Sequence, residues 1–101
     1  MGIETKLNSE ETALTIVMDE RFDYAKVQDF KEAYSGLPNS VSHIAVNLAK
    51  TEYMDSSALG MLLNMQKVLS DRKLTYSIEQ CRPRVERILQ ISRFDKKFTI
   101  S

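Results

Sequence analysis

The stretch with most to offer chemistry is Tyr53-Met54-Asp55-Ser56-Ser57-Ala58-Leu59-Gly60-Met61-Leu62-Leu63, a carboxylate and two hydroxyls leading into an apolar run. That order marks the start of a helix. The first amides of a helix lack intrahelical partners and sit at the positive end of its dipole, so an Asp or Ser there serves as a cap. The same place suits an anion, and a phosphate carried on a serine is expected to meet free N–H donors there. Two readings therefore stand side by side at Asp55-Ser56-Ser57: plain helix capping, or a hydroxyl presented for modification. Four-residue spacing sets Ser56, Gly60 and Asn64 along one outer edge of that helix, with Lys67 and Asp71 also facing outward. Ala58, Leu62, Met65 and Leu69 form its inward stripe, widened by Leu59 and Met61. Gly in an exposed first turn costs about 1 kcal/mol relative to Ala. Either close approach by another backbone or clearance for a neighbouring loop would account for Gly60.

Other reactive residue types are sparse. Cys81 is the only cysteine and His43 the only histidine, which excludes an internal disulfide and a Cys/His metal site. The sequence has no Gly-rich phosphate loop, no G-x-S-x-G elbow and no kinase lysine–glutamate set. It offers no catalytic machinery, and it implies no cofactor. Asp19, Glu20 and Asp23 read as an acidic, solvated loop in which Asp23 caps a helix. His43 reads as a polar strand-edge residue and Cys81 as a small, partly buried apolar one. Arg82, Arg84, Arg87 and Arg93 give the last helix a solvated basic face.

The elements that position these residues follow from composition and period. A chain of 101 residues, 43% hydrophobic and 28% charged, suits one compact domain. Fourteen basic residues cancel fourteen acidic ones, so nucleic acid and anionic membrane are not the expected partners. The opening MGIETKLNSE carries no apolar leader segment and no stretch reaches the length of a membrane span, so the expected location is the cytoplasm.

Ile3, Thr5 and Leu7, then Leu14, Ile16 and Met18, alternate as two strands of a hairpin turning at Asn8 to Thr12. Val27, Phe30, Tyr34 and Leu37 change the period to that of a helix, with Phe22 and Val27 placed as a hydrophobic staple and Gly36 and Pro38 as the stop. Ile44, Val46 and Leu48 predict a strand, and Ala45 between them predicts burial on both faces. Ala49 to Met54 predicts a loop, and the second helix is expected from Ser56 or Ser57 to about Asp71. Leu74, Tyr76 and Ile78 form the next strand. Pro83 opens a third helix burying Val85, Ile88 and Leu89, and Phe98 and Ile100 make a closing strand. The order β-β-α-β-α-β-α-β predicts an α/β domain with a mixed, mostly parallel sheet and helices packed against it.

In this order, Asp55-Ser56-Ser57-Ala58-Leu59-Gly60 resembles the signature of the STAS domain, and the chain over 1–101 is similar to bacterial anti-sigma factor antagonists. Phe22-Asp23 matches the opening of the family's first helix, and Ala45 to Met54 its central strand and loop. Val85-x-x-Ile88-Leu89 and Phe94-Asp95-Lys96-x-Phe98-x-Ile100 match its last helix and strand. Ala58 and Glu20 depart from the pattern at positions where the family often has Gly.

The resemblance implies a non-enzymatic protein of signal transduction and transcription regulation. Ser56 would be phosphorylated by an anti-sigma factor with serine kinase activity, and a serine phosphatase would reset it. Unphosphorylated, the chain would bind that anti-sigma factor and release a sigma factor or another effector. The partner-facing residues carried over are Asp23, Asp55, Ser56, Ser57, Gly60, Met61 and Asn64. No cofactor, metal, nucleic acid or membrane insertion is implied. The same resemblance allows an accessory subunit of a membrane transport complex, or a ligand-sensing module, although no nucleotide or haem signature is present. The phosphorylatable Asp55-Ser56-Ser57 favours the switch.

Overall fold

The structure, a computed structural model, describes residues 2–100. Strand β1 (Glu4–Leu7) and strand β2 (Ala13–Val17) form the expected antiparallel hairpin. Asn8 holds its turn, the side-chain oxygen accepting from the backbone N–H groups of Thr12 at 2.8 Å and Ala13 at 2.9 Å. Alternation does not bring β1 into the core, however. Its four residues are all exposed, Leu7 by 42%, because β1 is the outermost strand. β2 alternates as expected, burying Leu14 and Ile16.

Helix α1 (Val27–Tyr34) leads to strand β4 (His43–Asn47), helix α2 (Ser56–Val68), strand β6 (Thr75–Glu79), helix α3 (Pro83–Ile91) and strand β7 (Thr99–Ile100). The large sheet has the order β1-β2-β4-β6-β7, parallel throughout except for the hairpin. Because β2, β4, β6 and β7 follow in one direction, right-handed crossovers set all three helices on the same face. Ile16, Ile44, Val46 and Ile78 meet Phe30, Leu62, Met65, Val85 and Leu89 there in a single core. Helices pack on one face of β4 only, yet Ala45 on the other face is buried as expected. It points away from that core, and its cross-strand neighbours Thr15 and Ser77 flank it, leaving it 4% exposed.

Two smaller differences reflect the competition of short tight turns with regular elements, and a third reflects strand order. α2 stops at Val68 and gives way to a 3-10 turn at Ser70–Arg72, with Lys73 left-handed at φ 54°. Phe98 lies before β7 instead of within it, buried and stacked on Phe94 at 5.7 Å. His43 stands in an interior strand, not at an edge, with Nδ1 2.6 Å from Thr75 Oγ1 and Nε2 2.9 Å from Ser77 Oγ.

The element absent from the expectation is a second sheet of two parallel two-residue strands, β3 (Arg21–Phe22) and β5 (Tyr53–Met54). β5 falls in the predicted loop. Two residues are too few for any period to show.

Candidate functional site

The small ribbon decides where the site residues go. Arg21 pairs with Tyr53 and Phe22 with Met54, so the next residues, Asp23 and Asp55, leave the ribbon side by side. Phe22 and Met54 are buried, and Phe22 packs on Phe30 with ring centroids 5.3 Å apart. The period of two then turns Arg21, Asp23, Tyr53 and Asp55 to the other side. There Arg21 Nε donates to Asp23 Oδ2 at 3.2 Å, and the guanidinium lies 4.3 Å from the Tyr53 ring centroid. The Tyr53 hydroxyl donates to Asp55 Oδ2 at 3.5 Å.

Both aspartates are caps. Asp23 accepts from Ala25 N–H at 3.1 Å, but the turn it caps is a 3-10 turn, Tyr24–Lys26, that precedes α1. Asp55 Oδ1 accepts from the N–H groups of Ser57 at 3.0 Å and Ala58 at 3.3 Å, and from the Ser57 hydroxyl at 2.5 Å. The Ser57 hydroxyl, foremost, holds the Asp55 carboxyl below the ordinary range, and burial opposes it only in part. This corrects the expectation of free donors. Asp55 already occupies the amides of Ser57 and Ala58, so a phosphate on Ser56 would meet a carboxylate beside these two groups.

Ser56 itself is the first residue of α2 and is exposed. Capping falls to Asp55, which leaves the Ser56 hydroxyl free of that duty. Gly60 and Asn64 are exposed along the same edge. A Cβ built on Gly60 meets nothing within 4 Å, so clearance for a neighbouring loop is not what this glycine provides.

Beside that edge a groove runs between α1 and α2, lined by Tyr24, Val27, Lys31, Tyr34, Gly60 and Asn64. Burial raises the pKa of the Tyr34 hydroxyl at its floor, and a hydrogen bond with Asn64 tempers the effect. Ser57 and Met61 also line this groove. Met61, 8% exposed, belongs to the core as its place on the inward stripe dictates, and reaches the groove only at its edge. Ser57 is half-buried and donates its hydroxyl to Asp55, so it braces the cap from the groove side. Asp19 is not simply solvated either: its carboxylate lies 3.2 Å from Lys26 Nζ.

Sequence reasoning missed Arg21, Tyr24 and Tyr53. Tyr24 is 74% exposed at the mouth of the groove, and Tyr53 is 42% exposed. A signal for the ribbon was present in the repeated apolar-Asp pairs Phe22-Asp23 and Met54-Asp55, each just before a helical turn. Cys81 lies half-buried, its thiol pushed up by burial and by Glu86, which fits an inert side chain.

With this geometry in view, residues 5–100 match the family model described as "Mlab, STAS domain". The chain belongs to the STAS-domain family. This STAS domain is 37% identical over 101 residues to a STAS-domain containing protein of Pseudomonas aeruginosa strain UCBPP-PA14, covering 100% of both. Its structure is similar to that of the anti-sigma factor antagonist SpoIIAA in its unphosphorylated form, with TM-score 0.81 and 17% identity over 99% of this chain and 88% of that one. It is also similar to a sulfate transporter family protein from Wolinella succinogenes, with TM-score 0.73 and 10% identity over 84% of this chain and 70% of that one. At such identities the solved structures establish the fold alone, and the expected mixed α/β architecture holds. Among the described residues no helix is long and apolar enough to cross a membrane.

Proposed function

We propose that this STAS domain is an anti-sigma factor antagonist, a cytoplasmic and non-enzymatic switch set by phosphate on Ser56. The observation that carries the reading is the exposed Ser56 hydroxyl at the first position of α2, relieved of capping by Asp55 and next to the open edge at Gly60. Unphosphorylated, this edge docks an anti-sigma factor with serine kinase activity and so frees a sigma factor or another effector. The kinase supplies ATP and magnesium. Ser56 Oγ takes the γ-phosphoryl group, loses its proton to the kinase and releases ADP, and a serine phosphatase hydrolyses the ester to reset the switch.

Phosphorylation adds about −1.5 to −2 charge. At Ser56 that charge stands beside the Asp55 carboxylate and close to Asp23. A partner surface fitted to a hydroxyl and a bare Gly60 then faces a bulky dianion. Losing about 3–4 kcal/mol of binding lowers affinity several hundredfold. The effect is local exclusion, with no refolding of the sheet. Affinity capture with the wild type and Ser56→Ala tests the assignment. A retained histidine-kinase-like ATPase, together with a gain of one phosphate in wild type but not in Ser56→Ala, supports it. Retention of membrane transport components instead would favour the accessory-subunit role that the likeness to the sulfate transporter family protein leaves available.

A further inference from the structure

Asp55 leaves a phosphate on Ser56 with an unsolved problem. The amides of Ser57 and Ala58 are taken, and the adjacent carboxylate is held ionised. A dianion so placed draws in whatever cation can reach it. We propose that Arg21 is that cation: when Ser56 carries phosphate, the Arg21 guanidinium leaves Asp23 and pairs with the phosphoryl oxygens. The inference rests on Ser56 as the modified residue.

Three observations carry it. Arg21 and Tyr53 are cross-strand partners in the ribbon that ends at Asp55, so Arg21 is tied to the same short segment as Ser56. Its guanidinium lies against the Tyr53 ring, and the Tyr53 hydroxyl reaches Asp55, the residue before Ser56. Its hold on Asp23 is a single Nε contact at 3.2 Å, and its side chain is 61% exposed, so little opposes a change of partner. Two other cations stand nearby without that tie to Asp55. Lys26 is committed to Asp19, with its side chain only 19% exposed. Lys31 lines the groove with Gly60 and Asn64 but belongs to α1, outside the ribbon that ends at Asp55. The guanidinium fork also suits phosphate better than an ammonium does. Its departure leaves Asp23 unpaired beside Tyr24, carrying the signal from α2 into the turn before α1.

The test uses the full chain with phosphoserine installed at position 56 during synthesis, so the outcome does not depend on any kinase. A 31P NMR titration reads the second ionisation of that phosphate. The expected midpoint in wild type is lower than in Arg21→Ala by roughly half a pH unit, about a threefold change in the ionisation constant. Arg21→Lys should fall between the two, and Lys31→Ala should match wild type. Equal midpoints in wild type and Arg21→Ala overturn the proposal, as does a shift produced by Lys31→Ala alone. A common melting temperature for the variants shows that the comparison concerns the phosphate and not the fold.

Discussion

Helices α2 and α3 begin in opposite ways. α3 starts from Arg82, extended at φ −70° and ψ 156° with no side-chain cap, and relies on Pro83 to set the first helical turn. Arg82 and Arg84 are exposed at this end, and an arriving anion would find positive charge. α2 starts from Asp55, which occupies two amides and the Ser57 hydroxyl and brings negative charge to the same place. The serine open to modification stands at the end less suited to holding an anion. The comparison teaches that a phosphate on Ser56 is arranged to repel what docks there, since its own helix offers it little.

The largest expected effect comes from removing the support beneath the α2 end. Phe22→Ala should destabilise the domain by about 3–5 kcal/mol in chemical denaturation, because a fully buried ring that joins the ribbon to Phe30 is lost. A smaller, pH-dependent loss is expected for Asp55→Ala. The Asp55 carboxyl is depressed in the folded state, so its stabilisation is present at neutral pH and disappears as pH falls through the folded-state value. The gap in melting temperature between wild type and Asp55→Ala should therefore close in acid. Pro83→Ala at α3 should show a deficit that does not vary with pH, and equal pH profiles would erase the contrast between the two ends. Gly60→Ala should raise stability by about 1 kcal/mol, since the added Cβ meets open space in a helix. The same variant should weaken partner binding; a stabilised protein with undiminished binding would remove Gly60 from the docking surface.

Long elements with clear periods were legible in the sequence. β2, β4, α2, β6 and α3 appear where alternation or helical spacing put them, with ends shifted by a few residues. The exposed edge Ser56, Gly60 and Asn64 was legible for the same reason, since four-residue spacing is a property of any helix. The environment of Ser56 was not. It depends on pairing between Arg21-Phe22 and Tyr53-Met54, thirty-odd residues apart, in strands too short to carry a pattern. The division of labour within Asp55-Ser56-Ser57 was hidden too, because all three residue types can cap and only geometry shows that Asp55 does. That Ala45 is buried with no helix above it, between its cross-strand neighbours, reflects strand order, a property of the whole topology.

The central claim concerns the exposed hydroxyl of Ser56, and one titration addresses it directly. The anti-sigma factor kinase recovered by affinity capture is titrated calorimetrically against the chain with serine, and then with phosphoserine, at position 56. The account expects binding to weaken several hundredfold on phosphorylation, with the circular dichroism of the two forms superimposable. Equal affinity for both forms would contradict it.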